Sequence, residues 1–122
     1  MEIIIKNLRT EKPQYEYQVR VDRQSILGNP FYMQNENFRD IVCDQYEKHF
    51  KLTIKAVKVG FATQEQIEFV EELKRLYKLL KKHHKLELFC WCTPKRCHAE
   101  TIKNFLLKVI NKNQLSKTES EK

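Results

Sequence analysis

Apolar residues first gather at Ile3, Ile4 and Ile5, which predicts a short strand ending near Asn7. Thr10 to Gln14 is polar, contains Pro13, and reads as a connection. Tyr15, Tyr17, Val19 and Val21 then alternate with polar residues. That period of two predicts a second strand over Tyr15 to Val21 with one buried face. A dense polar loop follows, from Asp22 to Phe31. Phe38, Ile41, Val42, Tyr46 and Phe50 recur at three- and four-residue steps, so Glu36 to Phe50 reads as a helix capped by Asn35 or Asn37. Leu52 to Phe61 alternates again and reads as a short strand. Thr63-x-x-Gln66 is a capping box opening the next helix, whose stripe is Ile67, Val70, Leu73, Leu76, Tyr77 and Leu80. The apolar run Leu86 to Trp91 reads as a buried strand that Thr93-Pro94 ends. A last helix carries Ile102, Phe105, Leu106, Val109 and Ile110.

The resulting order is β-β-α-(β)-α-β-α. Alternating strands and helices point to an α/β protein, a small three-layer Rossmann-like domain with a mostly parallel sheet. The expected boundaries are one domain over 1–112 and a frayed polar tail over 113–122. With 122 residues, 41% of them hydrophobic, the chain can bury an ordinary core, and 2 Gly and 3 Pro argue against a turn-rich all-β fold. No apolar run is long enough for a membrane span, and the N-terminus lacks the pattern of a signal peptide. The expectation is therefore a cytoplasmic protein, without a membrane partner, whose four cysteines are reduced. The net charge of +7 is compatible with an anionic partner. Its densest cluster (Lys74, Arg75, Lys78, Lys81, Lys82, Lys85) lies on one helix. The bland reading of the charge is a solvated lysine-rich surface.

Two loops can carry chemistry. In the first, Gly28 allows positive φ or close backbone approach, and Pro30 forces Asn29 out of the helical region. Such a loop can present Arg23, the Ser25 hydroxyl and backbone N–H groups to an anion, or it can be a plain structural turn. The second runs from Cys90 to Glu100, and four readings compete. Cys90, Cys92, Cys97 and His98 are zinc-ligand types, but the C-x-C-x4-C-H spacing suits one tetrahedral ion poorly. Cys97, near a helix N-terminus beside Lys95, Arg96 and His98, could be a reactive thiolate, or it could pair with Cys92 in a disulfide. The N–H groups of Arg96, Cys97 and His98 could face a phosphate, with His98 as proton donor or acceptor. The bland reading is a strand with Cys90 and Cys92 as small buried hydrophobes. Cys43 reads as core filler, His83-His84 as solvated, and Tyr15 with Tyr17 as core and sheet edge.

Three clusters together, Arg23-x-Ser25-x-x-Gly28-Asn29-Pro30-Phe31, Arg39-x-x-Val42-x-x-x-Tyr46 and Cys90-Trp91-Cys92-x-Pro94-x-x-Cys97-His98, resemble a widespread family of short bacterial and phage proteins. That family is labelled a domain of unknown function. Its marks are a G-N-P-F loop and a C-W-C-x-P-x-x-C-H signature. The resemblance covers about Gln18 to Leu107 and implies a phage or prophage origin, hence a host-cell cytoplasm. It supplies no activity. This chain departs from the pattern in having Asp22 where Gly is frequent, and in a longer stretch from Lys51 to Gln64. The resemblance favours one composite site, with Arg23, Ser25, Gly28 and Asn29 on one side and Cys92, Cys97 and His98 on the other.

The reading that follows is binding of a phosphorylated small molecule, a nucleotide or nucleotide derivative, between the Arg23–Phe31 loop and the Cys92–His98 turn. Arg23, Ser25, Gly28, Asn29, Cys92 and Arg96 are the expected ligand-binding residues. Whether the ligand is transformed stays open. If it is, Cys97 is the candidate nucleophile, His98 the proton-transfer group, and Arg23 with Arg96 the anion clamp. No cofactor is expected. The alternatives are a phage accessory protein that binds nucleic acid or a host protein through its basic helix, and a zinc-stabilised module using Cys90, Cys92, Cys97 and His98.

Overall fold

A computed structural model of the chain describes the backbone of residues 1–120 and the side chains of residues 1–112. The tail expected to fray over 113–122 thus lies outside the described side chains. The elements are β1 (Glu2–Asn7), β2 (Gln18–Arg20), a single 3-10 turn (Glu36–Phe38), α1 (Arg39–Val59), α2 (Gln64–His83), β3 (Lys85–Cys90) and α3 (Ala99–Ser120). The strands form one sheet in the order β1-β3-β2, and both pairings are parallel. This is a small Rossmann-like α/β fold with the last strand at its centre.

The register sorts the strand residues by face. Ile3 pairs with Leu86, and Ile5 and Val19 both pair with Leu88. These residues join Tyr46 and Phe50 of α1, Leu73, Leu76 and Leu80 of α2, and Ile102 and Leu106 of α3 in one hydrophobic core. Lys6 and Gln18 flank Glu87 on the other face, and both bind its carboxylate, at 3.2 and 2.8 Å. A buried acid in the central strand is tolerable only because it is paired in this way. Among the described residues, every buried side-chain nitrogen or oxygen has a hydrogen-bond partner.

Two expected elements differ. The second strand begins at Gln18 rather than Tyr15. The Gln18 carboxamide accepts from the N–H groups of Gln14 and Tyr15 at 2.6 and 3.0 Å, which folds the preceding residues into a turn. Tyr15 is consequently exposed, and it stacks on Tyr17 with ring centres 5.6 Å apart. The strand expected over Leu52 to Phe61 is instead the second half of α1. Val42, Tyr46, Phe50 and Thr53 continue one buried helical stripe, whereas Leu52, which a strand would have buried, is 56% exposed. Gly60, at φ 81°, closes the helix in the left-handed conformation that glycine adopts without penalty.

The capping box of α2 forms as expected. The Thr63 hydroxyl accepts from the Gln66 N–H at 3.2 Å, and the Gln66 side chain accepts from the Thr63 N–H at 2.9 Å. Thr63→Ala is expected to lower the unfolding free energy by about 1 kcal/mol, read from urea or thermal denaturation.

Candidate functional site

Because the strands are parallel, the Asp22–Phe31 loop and the Trp91–His98 turn leave β2 and β3 at the same end of the sheet. Ligands of open α/β sheets sit at such carboxyl ends. A cleft of about 300 Å³ lies there, and α1 supplies its third wall. Arg23, Asn29, Cys92, Arg96, Cys97 and His98 line it. Ser25, Gly28 and Cys90 do not.

The first loop is held by its own side chains. The Asn29 Oδ1 accepts from the Phe31 N–H at 2.8 Å, closing a turn around Pro30. Its Nδ2 donates to the Val42 carbonyl at 3.3 Å and ties the loop to α1. The Arg23 guanidinium donates to the carbonyls of Asn29 and Phe31, both at 2.7 Å. The Ser25 hydroxyl accepts from the Leu27 N–H at 3.0 Å, a local bond away from the cleft. Gly28 is required by close approach, since a Cβ there would sit 2.4 Å from the Asp22 carbonyl oxygen.

The second loop is tied to the first. The Thr93-Pro94 peptide is cis. Asn7 Nδ2 donates to the Thr93 carbonyl at 2.8 Å. Trp91 Nε1–H donates to Asp22 at 2.9 Å, while the Asp22 carboxylate also takes the Arg20 guanidinium. Burial of Asp22 works against its charge, but the Arg20 and Trp91 bonds outweigh burial and hold its carboxyl below the ordinary value. His98 Nε2–H donates to the Val21 carbonyl, and His98 Nδ1 lies 3.4 Å from Cys97 Sγ. Burial pushes the imidazole below its ordinary value, so it is neutral near pH 7. Both ring nitrogens are engaged by the fold itself.

The charges expected to clamp an anion are unequally committed. Arg96 donates to Asp40 and Asp44 on α1, at 3.1 and 2.7 Å. The N–H of Cys97, two residues before α3, is taken by the Glu100 carboxylate at 2.9 Å. Arg23 donates only to carbonyls, and no ion pair among the described residues neutralises it.

The thiols are graded by burial. Cys90 and Cys97 are buried, Cys92 is half-buried, and all four cysteines are free. The Cys97 thiol faces the sulfurs of Cys90 and Cys92 as well as His98. Those neighbouring sulfurs, and then burial, push the Cys97 thiol up. Cys92 is pulled down, first by the facing Cys97 thiol and then by the Arg39 guanidinium. Cys90 is pulled down as well, again first by the facing Cys97 thiol, so the thiolate character expected at Cys97 falls on the two sulfurs around it. Among the described residues, no group of three or more His, Cys, Asp or Glu side chains is placed to hold a metal ion.

Sequence reasoning about the site passed over Arg39, Asp22 and Trp91. Arg39 had a readable signal, a cation in the first turn of a helix, where the dipole disfavours it. There it is fixed by Glu36, through two bonds of 2.8 Å, and by the Arg96 carbonyl at 2.9 Å.

Fold and cleft define a small parallel α/β domain with a ligand-sized pocket at the carboxyl edge of its sheet. The chain belongs to the family described as Domain of unknown function (DUF4326), whose model matches residues 5–108 and so includes both loops. No curated protein and no solved structure matches the chain. No helix among the described residues is long and apolar enough to cross a membrane.

Two outcomes follow for the cleft. Gly28→Ala should cost about 1–3 kcal/mol of stability by denaturant titration, because backbone, not a movable side chain, occupies the space. For His98 the folded value lies below the ordinary 6.5, so its contribution is complete above 6.5 and is lost as pH falls through that window. The stability difference between wild type and His98→Gln should therefore shrink between about pH 7 and pH 5, read from urea midpoints at fixed pH.

Proposed function

We propose that this protein binds a phosphorylated small molecule, a nucleotide or nucleotide derivative, in the cleft between the two loops. One observation carries the reading. The Trp91 indole is 48% exposed yet fixed by its bond to the buried Asp22, in the same cleft as the unneutralised Arg23. Leaving a large apolar ring at a cleft lip forgoes the burial that would stabilise it, and a stacking partner recovers that loss. A guanidinium with no carboxylate partner supplies the attraction for phosphate. The cleft, at about 300 Å³, sits at the small end of the range for ligand pockets, which suits a mononucleotide better than a dinucleotide.

Arg23 and Trp91 are the ligand-contacting residues in this reading. Asn29, Arg96 and His98 hold the walls in place. The basic helix is a weaker candidate for the anion, because Lys74, Arg75 and Lys82 already face Glu71, Glu72 and Glu16.

Trp91 is the only Trp, so its fluorescence reports occupancy directly. Titration with nucleoside mono- and diphosphates should give saturable quenching that the unphosphorylated nucleosides match only weakly. Arg23→Ala should weaken binding by about tenfold or more, the worth of one charge-assisted hydrogen bond, and Arg23→Lys should recover part of it. Absence of quenching by every phosphorylated ligand, or an unchanged affinity in Arg23→Ala, would contradict the reading.

A further inference from the structure

Beyond ligand binding, the thiols of the second loop form a graded set. Cys90 is fully buried at the end of β3. Cys43 is buried on α1, with its sulfur directed at the Arg96 carbonyl at 3.8 Å, and burial pushes its thiol up. Cys97 is 3% exposed. Among the four cysteines, only Cys92 is both half-buried and part of the cleft wall. Arg39 lines the same cleft wall and interacts with Cys92, and its guanidinium is held in place by Glu36 and the Arg96 carbonyl, so the cation is already ordered. An accessible sulfur beside a cation, facing a second thiol that keeps its proton, is the arrangement that oxidation chemistry requires.

We propose that Cys92 is a hydroperoxide-reactive thiol and that Cys97 is its resolving partner, with the reaction taking place in the cleft. The Cys92 thiolate attacks the distal oxygen of the hydroperoxide. A sulfur–oxygen bond forms, the O–O bond breaks, and the alkoxide or hydroxide that leaves takes a proton from water. Cys92 is then a sulfenic acid. The Cys97 sulfur attacks the Cys92 sulfur, the sulfur–oxygen bond breaks, and the hydroxyl departs as water with the Cys97 proton. The pair has lost two electrons to the peroxide, which is reduced to an alcohol or water. A small-molecule dithiol reverses the disulfide. This inference does not depend on which ligand the cleft binds.

The test uses the intact wild-type protein. With limiting iodoacetamide at neutral pH, Cys92 should be alkylated at least about tenfold faster than any other cysteine, because it alone is both half-buried and on the cleft wall while the other three are buried. Hydrogen peroxide should then remove two hydrogen atoms from the intact mass, and peptide mapping should place a disulfide between Cys92 and Cys97. In Cys97→Ser, oxidation should stop at a Cys92 sulfenic acid that dimedone traps. First labelling at Cys43, Cys90 or Cys97 would overturn the proposal, and so would a peroxide-induced disulfide that omits Cys92. The alkylation order needs no variant, so it decides even if Cys97→Ser does not fold.

Discussion

The buried imidazole of His98 joins the two halves of the cleft. Its Nε2–H donates to the carbonyl of Val21, whose own N–H donates to Phe89 of β3 at 2.9 Å. One residue at the end of β2 is therefore gripped by the central strand on one side and by the turn before α3 on the other. The Tyr46 ring packs edge-on against the imidazole with centres 5.1 Å apart, and its hydroxyl donates to the Leu27 carbonyl at 2.7 Å. That contact brings α1 into the same unit. Losing the imidazole would leave the Val21 carbonyl buried without a donor, at a cost of about 1–3 kcal/mol. Burial keeps the ring neutral, although the bond to the Val21 carbonyl by itself favours the protonated form.

Most polar groups near the cleft are consumed in building its walls. Arg96 is spent on α1 carboxylates, and Glu100 closes the amide end of α3 that a phosphate would otherwise use. What stays available is sparse and specific: one guanidinium without a carboxylate, one indole held at the lip, and one half-buried sulfur beside Arg39. Walls already held by hydrogen bonds, with one guanidinium that no carboxylate neutralises and one indole fixed at the lip, suit recognition of a small ligand, because little has to be ordered on binding.

The sequence made the scaffold readable where local rules and tertiary packing agree. Ile3 to Ile5 and the Thr63 capping box became the expected elements, and the Leu86 to Trp91 run became β3 except for Trp91, which stands outside the strand and is exposed. Agreement failed where a single side chain or a longer period intervened. The Gln18 carboxamide shortened β2, and the Val42–Tyr46–Phe50–Thr53 stripe overrode the alternation that began at Leu52. Convergence of the two loops was legible because both stand at the ends of strands in a parallel sheet. The division of labour inside them was not. Cys97 is buried more deeply than Cys92, and the carboxylates that take the Arg96 guanidinium lie 56 and 52 residues away in sequence. No local pattern carries either fact.

The most direct test of a single cleft shared by both loops is an amide chemical-shift map by NMR. A nucleoside monophosphate would be titrated into isotopically labelled protein. The predicted result is saturable shifts of the Asp22–Phe31 and Trp91–His98 amides with one common affinity, while the amides of Lys74 to Lys82 on α2 stay unmoved. Shifts confined to α2, or two loops that titrate with different affinities, would contradict it.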